Sequence, residues 1–142
     1  MGLPQPAPLA NVRRLQPLRV LLAGRDRRFL RVTAFLLSRR GYDVTEAPLN
    51  ESVTAADRFH ADVVLLDAGL SRAEAARLAN QLNALGCPPA VLVVTANGGN
   101  GGAGLRVVEK WEPIDDLVKE IEAASLERQL PALRATGAHE HH

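Results

Sequence analysis

Apolar positions recur along this chain with two alternating periods. Residues 18–23 form an apolar run interrupted only by Arg19, as in a strand buried on both faces. From 27 to 40 the period becomes three to four: Phe29, Val32 and Leu36 run beside Leu30, Thr33 and Leu37, and Gly41 follows as a stop. A short strand is predicted at 43–46 and a short helix at 52–59, with Val53, Ala56 and Phe59 on one face. Residues 63–67 make a second clear strand. Ser71 and Glu74 then stand at capping-box spacing before a helix that turns Ala75, Leu78, Ala79 and Leu82 inward. A third strong strand is predicted at 90–95 and another at 105–108. After Pro113 comes a last helix with Ile114, Leu117, Val118 and Ile121 on one face.

Strands that alternate with helices imply a parallel sheet covered on both sides. The expected fold is a three-layer α/β sandwich over residues 18–126. Residues 1–17, with Pro4, Pro6, Pro8 and Pro17, read as a flexible or extended arm. Residues 127–142 lack a period and end His139-Glu140-His141-His142, which reads as a disordered or tag-like tail rather than a metal site.

Composition narrows the function classes. The 17 basic and 16 acidic residues leave a net charge of +1, which disfavours a general nucleic-acid binder. The run Arg25, Arg27, Arg28, Arg31 reads as a solvated face rather than a nucleic-acid contact. With one cysteine, Cys87, no internal disulfide forms; the loop entering a strand is expected to bury it. No stretch approaches the ~20 apolar residues of a membrane span, and no secretion signal is evident, so a cytoplasmic location is expected.

In parallel α/β sheets, chemistry sits beyond the carboxyl ends of the strands. Those ends carry Gly24-Arg25-Asp26, Asp67, Thr95 and Lys110, so an acid, a hydroxyl and an amine are expected at one edge. The segments Ala61-Asp62-Val63-Val64-Leu65-Leu66-Asp67 and Val91-Leu92-Val93-Val94-Thr95-Ala96, with Lys110, resemble the receiver domains of bacterial response regulators. Lys110 is one of only two lysines in the chain. The resemblance implies a flavodoxin-like fold with five parallel strands in the order 2-1-3-4-5. It also implies a phosphoacceptor-like role for Asp67 and switch and phosphate-pocket roles for Thr95 and Lys110. A histidine kinase, a downstream signalling protein or a second copy would be the partner.

The departures from that family are as informative. Receivers place an acidic, Mg²⁺-holding pair where this chain has Gly24 and Arg25; Asp26 is the nearby acid and can cap the next helix. Mg²⁺ needs several oxygen ligands, so neither it nor another cofactor is expected. The family's switch aromatic is replaced by Val107. Its proline after the lysine is replaced by Trp111. Residues 96–104 span nine positions with five Gly, too short and too glycine-rich for a helical crossover, so the family's fourth helix is expected to be missing. Strands four and five would then expose Val91, Val93 and Leu105 to a partner.

These residues leave several readings open. Asp67 is a turn or cap residue, a silent remnant of the receiver site, or a working phosphoacceptor. Thr95 and Lys110 also fit as plain strand-end residues. Arg25 is a surface charge or a partner of Asp67. The reading taken forward is a non-enzymatic, receiver-like signalling domain that works by protein contact without phosphorylation, its Asp67 held by Lys110 and Arg25. A phosphoacceptor in a two-component relay is the alternative. A flavin- or nucleotide-binding protein ranks lower: Gly99-Asn100-Gly101-Gly102-Ala103-Gly104 fits a dinucleotide pattern but precedes a strand rather than a helix.

Overall fold

The computed structural model describes residues 16–67, 69, 72–96 and 105–140, with the backbone alone from 129 onward. In chain order the elements are β1 (Arg19–Gly24), α1 (Arg27–Arg39), β2 (Asp43–Pro48), a 3₁₀ turn (Leu49–Glu51), α2 (Ser52–Phe59), β3 (Val63–Asp67), α3 (Arg72–Asn83), β4 (Ala90–Thr95), β5 (Arg106–Glu109) and α4 (Ile114–Glu140). All strand pairings are parallel, and the order is β2-β1-β3-β4-β5. This is the flavodoxin-like sandwich.

The central strands explain the layers. Successive side chains of a strand point to opposite faces, so an unbroken apolar run feeds two cores at once. Val20, Leu22, Val63, Leu65, Leu92 and Val94 join Phe29 and Leu37 of α1 and Leu117 and Ile121 of α4 in one core. Leu21, Ala23, Val64, Leu66 and Val93 join Ala56 of α2 and Ala75, Leu78 and Leu82 of α3 in the other. At the end of α1, Gly41 takes φ +92°, a left-handed conformation that suits glycine.

Four details differ from the sequence reading. β2 continues to Pro48, because the edge strand stays in register with β1 up to Gly24↔Pro48. α4 continues past residue 126 to Glu140, where the sequence suggested a tail. The stretch Ala123-Ala124-Ser125-Leu126-Glu127-Arg128 is rich in good helix formers and carries the helix on. Cys87 is exposed, since the α3–β4 turn carries it outside the core. The expected apolar patch on β4 and β5 is narrower than foreseen: Val93 is buried, while Val91 and Leu105 are partly buried against the core shared with α3 and line a groove with Ala79 and Asn83. Among the described residues, the exposed large apolar side chains are instead Val32, Phe35, Leu36, Trp111 and Leu126. The expectations for residues 97–104, and for the capping role of Ser71, lie outside the described residues.

Candidate functional site

The carboxyl edge of the sheet gathers Gly24, Asp67, Thr95 and Lys110. Parallel register sets Gly24 beside Asp67. The backbone N–H of Lys110 donates to the Thr95 carbonyl at 2.7 Å, which fixes the lysine just past β5. Asp67 closes β3 and is 4% exposed, a burial that for a carboxylate calls for a partner.

That partner is Lys110. Its ammonium lies 3.2 Å from Asp67 Oδ2 and 2.8 Å from Asp26 Oδ2, between two carboxylates. The shorter contact goes to Asp26. At Asp67 the ammonium is an ion-pair neighbour, and the enclosed Oδ2 has no well-directed hydrogen bond. Asp67 Oδ1 accepts from the backbone N–H of Gly69 at 3.4 Å. Thr95 Oγ1 is likewise enclosed without a hydrogen-bond partner among the described residues.

Asp26 does two jobs. Its Oδ1 caps α1 by accepting from the Phe29 N–H at 3.2 Å, while its Oδ2 holds Lys110. The hydrogen bond from Lys110, followed by that from Phe29 N–H, lowers the Asp26 pKa below its ordinary value. For Lys110, burial disfavours the charged form, but its bond to Asp26 and the negative charges of Asp26 and Asp67 outweigh it, and its pKa is raised.

Two residues at the end of β1 behave otherwise. A Cβ on Gly24 would stand 2.7 Å from Asp67 Cβ and 2.9 Å from its carbonyl oxygen, so the strands leave no room there for a side chain. Arg25 does not reach Asp67. One guanidinium nitrogen, Nη2, lies 3.1 Å from both carboxylate oxygens of Glu74 on α3, an ion pair on the surface. The reason is position: Arg25 is exposed, while Asp67 is closed off behind Gly24.

Two aromatic residues that the sequence reading left outside the site adjoin it. Lys110 Nζ sits 5.2 Å from the centroid of the Phe29 ring, and Trp111 meets the same ring edge-on at 5.2 Å. Trp111 has φ +65°, an uncommon left-handed conformation for a bulky residue, and is 54% exposed. Phe29 carried a signal for this, since it lies three residues after the capping Asp26. Nothing in the sequence pattern indicated the backbone turn at Trp111.

The same fold recurs among solved structures. The signal receiver domain assigned to a Luxo repressor protein of Vibrio parahaemolyticus superposes with TM-score 0.68 at 19% identity, over 82% of this chain and 96% of that one. The fold is that of receiver domains. A CheY-like receiver domain protein from Methanospirillum hungatei gives TM-score 0.67 at 20% identity, covering 82% of this chain and 99% of its own. The receiver domain of a modulated diguanylate cyclase from Desulfovibrio desulfuricans gives 0.65 at 24% identity, with coverages of 82% and 99%. No protein-family model matches the chain, and no curated protein matches it in sequence. In this chain Asp67, Thr95 and Lys110 stand together at the sheet edge, and the loop after β1 supplies Asp26.

Proposed function

We propose that this is a receiver-like signalling domain that acts by protein–protein contact and whose pocket is closed by an internal cation. The observation that carries this is the Lys110 ammonium seated between Asp26 and Asp67 at 2.8 and 3.2 Å. In the receiver family a metal ion offsets crowded carboxylates. Here Gly24 leaves no space for an acid, Arg25 is engaged by Glu74, and no cluster of three metal-ligating side chains occurs among the described residues. The residues present do not fit Mg²⁺, which asks for several oxygens in octahedral array. Without it, attack by Asp67 on a phosphoryl donor lacks the charge neutralisation on which phosphoryl transfer depends.

The domain is read as non-enzymatic, with a kinase-type or downstream signalling protein as partner. No described helix is long and apolar enough to cross a membrane, and a cytoplasmic location fits this reading. The glycine loop of the nucleotide-binding reading lies outside the described residues. A second reading, phosphorylation of Asp67, is favoured by one specific observation: among the described residues Thr95 Oγ1 is enclosed without a hydrogen-bond partner and Asp67 Oδ2 has only the Lys110 ammonium beside it, as a pocket that takes a phosphoryl group would have them. Incubation with acetyl phosphate and Mg²⁺, followed by phosphate-affinity electrophoresis, separates the two. The first reading expects no shifted band; a shifted band that Asp67→Asn abolishes establishes the second.

A further inference from the structure

We propose that two copies of this chain associate over the groove between α1 and the β5–α4 turn, with the basic outer stripe of α1 in one copy set on the acidic side of the groove in the other. The inference concerns the outer surface and holds whether or not Asp67 takes phosphate. Phe29, Val32, Leu36 and Trp111 are among the residues that line the groove. Val32, Leu36 and Trp111 are 38%, 37% and 54% exposed, and Phe35 on the outer rim is 60% exposed. Apolar side chains this open and this close together mark an association surface.

The spacing on α1 is that of a helix seam. Arg28, Val32, Phe35 and Arg39 fall at i, i+4, i+7 and i+11, so they form one stripe with a cation at each end. The Arg39 guanidinium lies over the Phe35 ring at 5.7 Å. Glu109 and Glu112 line the opposite side of the groove. Among the described residues, none of Arg28, Arg39, Glu109 and Glu112 has an ion-pair partner. Glu112 also has an enclosed Oε2 without a hydrogen bond, and its pKa is raised by burial and then by Glu120, Asp116 and Glu109.

These charges argue for a second copy as the occupant. In a two-fold interface, residue i of one protomer meets j of the other while j meets i. A surface with Arg28 and Arg39 on the outer stripe of α1 and Glu109 and Glu112 across the groove is self-complementary under that rotation. Each arginine then gains a carboxylate, Glu112 gains a cation, and the exposed Val32, Phe35, Leu36 and Trp111 of the two copies cover each other. Direct α1-on-α1 pairing in antiparallel fashion is disfavoured, because it sets Arg28 against Arg39.

Sedimentation across a wide concentration range tests this with the full chain. The expected result is a reversible dimer that weakens with added salt and is lost in Phe35→Asp, a change at an exposed site that leaves the fold intact by circular dichroism. Arg39→Glu and Glu109→Arg should each be monomeric alone, yet form a heterodimer when mixed, since each reversed charge then faces its opposite. Trp111, the single tryptophan of the sequence, supplies a second readout. Its emission should shift to the red on dilution as the ring returns to water. A wild-type chain that stays monomeric at high concentration overturns the proposal. So does a dimer that survives Phe35→Asp, or a charge-reversed pair that fails to associate on mixing.

Discussion

The ends of β1 and β3 lie side by side in the sheet, paired through Gly24 and Asp67, yet they handle charge in opposite ways. At β3, the carboxylate is enclosed and a lysine from a distant strand comes to it. At β1, the corresponding space is a bare glycine, and the next charge, Arg25, turns to the surface and a glutamate on α3. One end keeps a buried charge that needs a partner; the other carries no side-chain charge in the interior. Lys110 connects them through Asp26, so the cation that the buried acid requires comes from the chain itself.

The largest effect is expected at Lys110. Lys110→Met leaves Asp67 enclosed with no cation, and breaking a buried pair from one side costs about 3–5 kcal/mol. The lower end applies here, because the lysine side chain is 18% exposed and water reaches it on the Asp26 side. Chemical denaturation should show this loss. Adding Asp67→Asn should recover part of it, since the uncompensated charge is then gone. Equal stability of the single and double variants would mean that Asp67 is satisfied by something other than Lys110.

Placing an acid at position 24 should be the next most costly change. Gly24→Asp places a Cβ 2.7 Å from Asp67 Cβ, where neither strand can yield easily. Forcing atoms into a packed core costs typically ~1–3 kcal/mol, and a second carboxylate beside Asp67 adds repulsion. The expected outcome is a lower melting temperature, with no gain in Mg²⁺ affinity by calorimetry. An unperturbed melting temperature would show that β1 and β3 can separate there.

Acid and alkali should unlock the pocket from different sides. The Asp26 pKa is depressed, so its contribution is present above its ordinary value of 3.8 and lost as pH falls through the lower folded value. The Lys110 pKa is raised, so its contribution is complete below 10.5 and lost as pH rises through the higher folded value. Asp26→Asn should therefore lower stability over the neutral range, with a deficit that narrows in strong acid. A deficit that stays constant across pH would mean that only the helix cap, and not the charge, matters at Asp26.

The layers were legible because fully buried strands leave unbroken apolar runs, and 63–67 and 90–95 announce themselves this way. The pairing of Asp67 with Lys110 followed from which residues end which strands. The destination of Arg25 did not, because a long exposed side chain selects among neighbours that only the packing of α3 brings near. Asp26 was visible as a cap, but its second contact depends on where Lys110 arrives from another strand. The exposed stripe on α1 was hidden by periodicity itself. Val32 and Leu36 fit the same three-to-four pattern as Phe29 and Leu37, and period alone does not say how wide a face the sheet covers.

The smallest effect separates the two ends of the sheet most cleanly. If Arg25 belonged to the pocket, its removal would resemble that of Lys110. Its guanidinium instead meets Glu74 with 64% of its side chain exposed, and exposed ion pairs are worth about 0–1 kcal/mol. The pair is also open to screening, since water and salt reach the arginine directly. Glu74 also lies 3.9 Å from Arg77 on its own helix, so it keeps a cation when Arg25 is removed. Arg25→Ala should leave the denaturation midpoint nearly unchanged at moderate salt, with any small deficit fading as salt rises. A loss comparable to that of Lys110→Met, persistent in high salt, would place Arg25 in the buried network and erase the contrast between β1 and β3.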